Sequence, residues 1–446
     1  MSVEVQRLPL TSAFYDLDDA LQKDIDWGTA TPISHDEHIE SDFSSAAYKR
    51  GTKRPAVVDV IPSHQKALLL HELRQPFVKQ DHAVPQINGP EEILIEVQAI
   101  GLNPIDWKSV DYGFGIPVLP YVSGRDFAGV VVKAPLSKSH IQEGDTILCP
   151  STDYRDLRKA AYQEYAIASH STVCRLPRHV STSQGAAIGV AYVAAALAMG
   201  VCLGLPMPAL GSNTGPDILD IVRSTPLGSL PADTVAECIA IKASERPKAG
   251  DWIVIWGGSS TSALFLSQIA KLAGLRVILV VDVAKHGAWL IDTSGCVCID
   301  SHDAERAVHV ICGIAGSDLR FGVDTVGKET SEHLAQCLAH DTKDGSTKAH
   351  LVGLAALPKQ RKDGIVYHSV PVKLFHEVPR VGSSLMSWLE EALESRAISL
   401  PRIEEAPGGL EGINAALDRM RQGHVSGKRL VVPLPWRADT ISIYPC

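Results

Sequence analysis

The stretch IVIWGGSSTSALFLSQIAKLAGLRVILVVD, residues 253–282, decides the fold of this chain. An apolar run is followed by a Gly/Ser-rich turn, a segment with apolar residues at helical spacing, and a second apolar run that ends on an acid. This order predicts a buried strand, a tight turn, a helix and a second parallel strand. Such a unit is typical of a dinucleotide site, where the pyrophosphate lies at the helix N-terminus.

The turn itself departs from the usual glycine pattern of a dinucleotide site. Gly257 and Gly258 supply the tight turn, and the template G-x-G-x-x-A is met at Gly258 and Ala263. Ser260 replaces the second glycine of that template and is small enough to let the backbone approach a phosphate. Ser259, Ser260 and Thr261 carry hydroxyl groups that could donate to phosphate oxygens. The alternative interpretation is a structural strand, turn and helix that binds no ligand.

The end of the second strand bears on the choice of nucleotide. Asp282 lies 24 residues beyond Gly258, where a carboxylate would bond the ribose hydroxyls and repel a 2′-phosphate. That placement favours NADH. Lys285 and His286 follow at once and could instead bind a phosphate. These residues therefore leave the choice between NADH and NADPH open.

Composition excludes several classes of protein. A net charge of −9 without clustered basic residues argues against nucleic-acid binding. No apolar run approaches the roughly 18 residues of a membrane-spanning helix, and the N-terminus does not resemble a signal peptide. The nine scattered cysteines suit a reducing compartment better than a disulfide framework. We therefore expect a cytoplasmic enzyme that has no membrane segment.

Segments of different character follow one another along the chain. Residues 1–62 are acidic and weakly periodic, which is typical of a flexible arm, although an arm packed on the body is the alternative. Short apolar runs punctuated by Pro and Gly over residues 63–197 predict a barrel-type β body. From residue 251 onward strand and helix patterns alternate, which predicts a doubly wound parallel sheet and an α/β fold class. Residues 437–446 form a short tail.

Several motifs occur in a common order over residues 66–435, among them GLNPIDWKSVDYG, LPYVSGRDFAGVVV, WGGSSTSA and GHVSGKRLVVPL. Together they resemble the medium-chain dehydrogenase/reductase superfamily, and in particular the trans-acting enoyl reductases of fungal polyketide pathways. The resemblance implies a GroES-like catalytic domain formed by residues 63–197 and 386–436. It also implies an inserted Rossmann cofactor-binding domain over residues 198–385.

The same resemblance implies a monomeric NADPH-dependent reductase whose acyl substrate is presented by a polyketide synthase carrier domain. It assigns the cofactor-binding and substrate-facing positions only by alignment with the family motifs. The implied cofactor contacts are Ile105, Asp106, Lys108, Gly257, Gly258, Ser259, Ser260, Thr261, Ser262, Asp282, Lys285, Gly353, Leu354, Val431 and Val432. The implied substrate-facing residues are Ile188, Tyr192, Val193, Phe375, His376 and Glu377.

Catalysis is expected to proceed without zinc. The positions that hold the zinc ligands of other superfamily members correspond to Asn103 or its neighbours and to Arg125, and no C-x₂-C series offers a structural site. Lys108 is the best charged candidate for protonation or for positioning the cofactor. Asp126 could orient Lys108 or a ribose, or it could hold the barrel together through Arg125.

Three functional hypotheses remain open on the sequence. The first is NADPH-dependent reduction of an α,β-unsaturated acyl thioester. The second is reduction of a free quinone or enone. The third is a non-redox enzyme or binding protein on the same fold, suggested by Asp282, by Val193 where relatives have a threonine, and by the long connection over residues 205–247.

Overall fold

The computed structural model of the protein describes residues 6–7, 61–338 and 348–435. The acidic extension predicted over residues 1–62 lies almost wholly outside these residues, and so does the tail over residues 437–446. No helix in the described ranges is long and apolar enough to cross a membrane.

Short, mostly antiparallel strands build the N-terminal half, as expected for a barrel-type body. They run as β1 Gln6–Arg7, β2 His64–Leu70, β3 Val78–Ala83, β4 Glu92–Gly101, β5 Val118–Leu119, β6 Tyr121–Val122, β7 Asp126–Lys133, β8 Thr146–Pro150, β9 Tyr165–Ser169 and β10 Cys174–Arg175. The helices of this half are α1 Pro104–Tyr112, α2 Thr182–Ala186 and α3 Gly189–Leu197. Strand β4 is central, since it pairs with both β7 and β9.

An insertion then leads to the second half of the chain. The π-helical turn Ala198–Cys202 continues α3, and two short helices follow, α4 Ile218–Arg223 and α5 Val235–Ile239. These elements pack on one another and against the outer strand of the next sheet.

A six-stranded parallel sheet forms the second half. Its strands are β11 Trp252–Trp256, β12 Arg276–Val281, β13 Val297–Asp300, β14 Phe321–Asp324, β15 Ala349–Gly353 and β16 Ile365–Ser369. Its helices are α6 Thr261–Leu272, α7 Val283–Ser294, α8 Ala304–Ala315, α9 Lys328–Cys337, α10 Lys373–Glu377 and α11 Pro379–Glu394. The spatial order β13-β12-β11-β14-β15-β16 reverses between β11 and β14, and ligands of such sheets bind at the carboxyl ends of the strands at this point. The predicted doubly wound sheet is confirmed.

The C-terminal segment returns to the first half. It comprises β17 Ile403–Glu405, α12 Gly409–Arg421 and β18 Arg429–Pro433. Strand β18 pairs antiparallel with β4, and Val431 lies opposite Gly101. The last described strand therefore completes the N-terminal sheet, while the exact domain boundaries predicted from the sequence stay a prediction.

Candidate functional site

The turn after β11 requires glycine. Gly257 has a φ of +85°, and a Cβ there would lie 2.3 Å from Oγ1 of Thr325, which follows β14. The backbone N–H groups of Gly257 and Gly258 both donate to the carbonyl of Val280, at 3.0 and 2.9 Å. The turn is therefore held against the two neighbouring strands, and a side chain at position 257 would separate them.

Ser260 caps the helix that follows this turn. Its Oγ accepts from the N–H of Ala263 at 3.1 Å and donates to Oγ1 of Thr325 at 3.0 Å. The first N–H groups of a helix have no partners within the helix, and Thr261 and Ser262 present theirs, together with half-buried hydroxyl groups, at the positive end of α6. The turn thus fits a dinucleotide pyrophosphate. Sequence reasoning missed Thr325, although its place directly after a strand of the parallel sheet was a usable signal.

The acid at the end of β12 also caps a helix. Asp282 Oδ1 accepts from the N–H of Lys285 at 3.1 Å, and Oδ2 lies 3.0 Å from Nζ of Lys285 and 3.6 Å from Nε2 of His302. Although partial burial acts to raise it, these contacts with Lys285 hold the pKa of Asp282 below its usual value. His286 points elsewhere, because its Nε2 lies 2.8 Å from Oγ of Ser426. The charge of Lys285 is therefore already balanced by Asp282.

Replacing Asp282 by serine is expected to shift the ratio of affinities toward NADPH by roughly tenfold, about 1.4 kcal/mol. The serine removes a charge that repels a 2′-phosphate, and it frees Lys285 to bind one. Nicotinamide fluorescence during titration with each nucleotide measures the two dissociation constants. The matched control is Asp292→Ser, at an exposed position on the same helix. An equal ratio of NADPH to NADH affinity in Asp282→Ser and Asp292→Ser would contradict the role of Asp282 in repelling a 2′-phosphate.

A fully buried ion pair joins the C-terminal strand β18 to β7 of the same sheet. Asp126, at the start of β7, pairs with Arg429 of β18 and accepts from Nδ2 of Asn103 at 3.0 Å. Its other oxygen accepts from the N–H of Val190, near the start of α3, at 2.7 Å. Arg429 also donates to Oδ1 of Asn103 at 2.6 Å. These contacts assign Asp126 a positioning role for α1 and α3, and its predicted catalytic role stays a prediction.

Arg125 does not take part in this ion pair, contrary to one of the sequence-based alternatives. Its guanidinium lies over the ring of Tyr154, 5.4 Å from the centroid. Arg429 was missed by sequence reasoning because its partner is 303 residues away along the chain.

The helix α1 begins at this cluster and carries Lys108. Lys108 is half-buried, its Nζ lies 5.7 Å from the centroid of the Trp107 ring, and no carboxylate pairs with it among the residues that the structure describes. Burial lowers the pKa of Lys108 from its usual value. An ammonium group without a counter-ion can stabilise negative charge or give up a proton, as expected for this residue.

Asp106 lies on the buried face of the same helix. Its Oδ2 accepts from the N–H of Asn103 at 2.8 Å, while Oδ1 has no hydrogen-bond partner within the described structure. Burial raises the pKa of Asp106 to about 6. Its predicted cofactor contact stays a prediction, since the carboxyl group is fully buried.

Replacing Asp106 by asparagine is expected to remove a pH dependence of stability. Because the folded-state pKa of about 6 exceeds the usual 3.8, the unfolded chain loses this proton first. The group therefore destabilises the fold progressively as pH rises between about 4 and about 6, by about 3 kcal/mol in all. Denaturant unfolding across that window measures the difference between Asp106→Asn and wild type. The exposed control Asp318→Asn is expected to follow the wild type, and an unchanged profile in both variants would contradict the prediction.

The predicted substrate-facing residues fall into two groups. Tyr192 is fully buried: its hydroxyl donates to the carbonyl of Leu385 at 2.9 Å, and its ring stacks on Trp388 with centroids 6.2 Å apart. His376 is half-buried, with Nδ1 2.7 Å from Oγ1 of Thr152, and burial lowers its pKa to about 4. Full burial is shared by Ile188, Tyr192, Val193 and Phe375, whereas His376 and the neighbouring Glu377 keep accessible surface.

The remaining predicted cofactor contacts lie on three elements. Ile105 is half-buried on α1, and Leu354 follows β15, where its N–H donates to the carbonyl of Asp324 at 2.8 Å. Gly353 ends β15 at the same edge of the sheet as the glycine turn. Val431 and Val432 are fully buried in β18. The structure thus brings Gly353 and Leu354 to the carboxyl ends of the strands, while the two valines lie in the core.

Comparison with known proteins agrees with this architecture. The sequence model of the alcohol dehydrogenase GroES-like domain matches residues 89–178. A trans-enoyl reductase of Fusarium mangiferae is 28% identical over 372 residues, which cover 79% of this chain and 95% of the relative. The matched domain and the similarity over most of the chain agree with the predicted resemblance to the medium-chain dehydrogenase/reductase superfamily.

Solved structures of superfamily proteins share the fold. The CurK enoyl reductase superposes with a TM-score of 0.61 at 17% identity and covers 83% of this chain and 99% of its own. A mycobacterial protein in complex with NADPH superposes with a TM-score of 0.61 at 20% identity, covering 83% of this chain and 100% of its own. These TM-scores show a common fold, and the barrel and Rossmann parts predicted from the sequence are confirmed.

Proposed function

We propose that this chain is an NADPH-dependent enoyl reductase that reduces an α,β-unsaturated acyl thioester in trans during polyketide biosynthesis. The observation that carries the proposal is the match to a trans-enoyl reductase over 95% of that relative's length. The glycine turn and the capped helix α6 supply the nucleotide site that such a reaction needs.

Reduction of the enoyl group makes two demands on the protein. The bound nicotinamide supplies a hydride to the β-carbon, so negative charge develops on the thioester oxygen and the α-carbon must gain a proton. Lys108 meets both demands, because its ammonium group lacks a carboxylate partner in the described residues and its pKa is lowered by burial. The Asp126–Arg429 pair holds the start of α1 and thereby positions Lys108.

The choice of NADPH and of a carrier-bound substrate belongs to the same proposal. NADPH is supported by the superfamily structure solved with that nucleotide, while Asp282 acts against it. An enoyl substrate presented in trans is supported by the name of the fungal relative, and an acyl chain on a polyketide synthase carrier domain is the substrate that we propose. A monomeric protein in the cytoplasm completes the proposal.

A substrate comparison tests it. The purified chain is incubated with NADPH and an α,β-unsaturated acyl thioester of N-acetylcysteamine, and loss of nicotinamide absorbance is followed. We expect turnover with the unsaturated thioester, formation of the saturated product, and no turnover with the saturated thioester as control. A free quinone serves as the competing substrate. Faster turnover of the quinone, or NADPH binding without turnover of any thioester, would overturn the proposal.

A further inference from the structure

A second cluster of reactive side chains lies far along the sheet from the glycine turn, beneath the insertion. Sγ of Cys202, a carboxylate oxygen of Glu237 and a ring nitrogen of His368 all lie within 4.8 Å of one another. Cys202 and His368 are fully buried, and Glu237 keeps a small exposed surface. The three residues come from the π-helical turn, from α5 and from β16.

Two more buried groups extend this cluster. Nδ1 of His368 lies 2.8 Å from Oε2 of Glu237, and its Nε2 lies 3.0 Å from Nδ1 of His350. Nε2 of His350 then lies 3.8 Å from Oε2 of Glu245. His350 and Glu245 are 0% and 2% exposed, and neither Nε2 of His350 nor Oε1 of Glu245 has a hydrogen-bond partner among the described residues.

The protons of this chain of groups conflict while both imidazoles are neutral and both carboxylates are ionised. A proton on Nδ1 of His368 satisfies Glu237, so Nε2 of His368 must accept from Nδ1–H of His350. Nε2 of His350 is then left as an acceptor that faces the carboxylate of Glu245. Two acceptors face each other in a buried site, which is costly.

A cation in place of the proton on Nδ1 removes this conflict. Nε2 of His368 then carries the proton and donates to His350, whose own Nε2–H points at Glu245. Histidine ligands of metals commonly donate their second ring N–H to a carboxylate or to another acceptor in this way. The cation also balances the two buried carboxylates.

We propose that Cys202, Glu237 and His368 bind a zinc ion, with a water molecule as the fourth ligand. Thiolate, imidazole and carboxylate are the ligands that Zn²⁺ prefers, and a thiolate in the set disfavours Mg²⁺ and Ca²⁺. The Cys202 thiol releases its proton to solvent when the metal binds. The exposed edge of Glu237 provides a route of entry.

The ion serves a structural purpose in this place. It joins the end of the π-helical turn and α5 to the outer strand β16 of the parallel sheet, and so fastens the insertion to the Rossmann part. Spacing along the sequence did not indicate the site, because 131 residues separate Glu237 from His368.

Metal content and cobalt spectroscopy test the site without reference to activity. The purified full chain is stripped with a chelator, dialysed, and titrated with Co²⁺ or Zn²⁺. We expect one metal ion per chain and a thiolate-to-cobalt charge-transfer band in the wild type. Cys202→Ser is expected to abolish the band, while Cys296→Ser, a change at a buried cysteine outside the cluster, leaves it intact.

Two further variants keep the test decisive if Cys202→Ser fails to fold. Glu237→Gln, on the partly exposed ligand, is expected to weaken zinc binding at least tenfold. His350→Gln, beside His368, is expected to weaken it roughly 10–100-fold. A wild-type chain that shows no thiolate–cobalt band, or a Cys202→Ser chain that keeps it, overturns the proposal.

Discussion

Replacing Arg429 by methionine is expected to lower the free energy of unfolding by about 3–5 kcal/mol. The change leaves Asp126 as a buried carboxylate without its counter-ion and deprives Asn103 of a donor. Denaturant unfolding followed by circular dichroism measures the loss.

The control and a double-mutant cycle isolate the ion pair. Arg419→Met removes a partly exposed pair with Glu404 and is expected to cost no more than about 1 kcal/mol. The combination of Asp126→Asn with Arg429→Met is expected to be less destabilised than the sum of the two single changes, by about 1–3 kcal/mol. A loss for Arg429→Met no larger than that of Arg419→Met would show that the buried pair is not needed for stability.

Replacing Lys108 by methionine is expected to lower kcat/KM for the enoyl thioester by roughly 10²–10⁴-fold, as for the loss of a general acid. If Lys108 acts on the substrate, NADPH affinity is expected to change far less than kcat/KM. If Lys108 only positions the cofactor, NADPH affinity is expected to fall in proportion to kcat/KM. Steady-state kinetics and nucleotide titration of the same variant separate these two roles. The control Lys133→Met, at an exposed end of β7, is expected to keep wild-type kinetics.

The pH profile separates acid catalysis from simple electrostatics. Burial lowers the pKa of Lys108, so wild-type activity is expected to fall as pH rises through that lowered value, because the ammonium group loses its proton. Lys108→Arg retains the charge but cannot give up a proton in this range. Wild-type rates for Lys108→Arg at every pH would contradict the role of Lys108 as proton donor.

Short-range features of the fold were predictable from the sequence. The turn after β11 could be located because Gly257 needs a backbone conformation and a close approach that other residues resist. The parallel sheet could be predicted because its strands are buried on both faces and therefore read as continuous apolar runs. Both signals lie within a few residues of the element they specify.

Side chains that act across the fold were harder to interpret. Asp126 was noticed, with Lys108, a ribose and the adjacent Arg125 as alternative partners, whereas the structure pairs it with Arg429. Tyr192 was expected to face a substrate, whereas its hydroxyl and its ring are both engaged in the core. Burial depends on what packs from elsewhere in the chain, and apolar or aromatic residue types alone do not reveal it.

The sequence by itself determined the βαβ unit, the glycine turn and the acid at the end of β12, since local backbone geometry and periodic burial specify each of them. Tertiary structure alone decided that Arg429 reaches Asp126 and that Glu237 meets His368. These two pairs are 303 and 131 residues apart. Such partners are chosen by the cost of leaving a buried charge unpaired, and that cost exists only after the chain has folded.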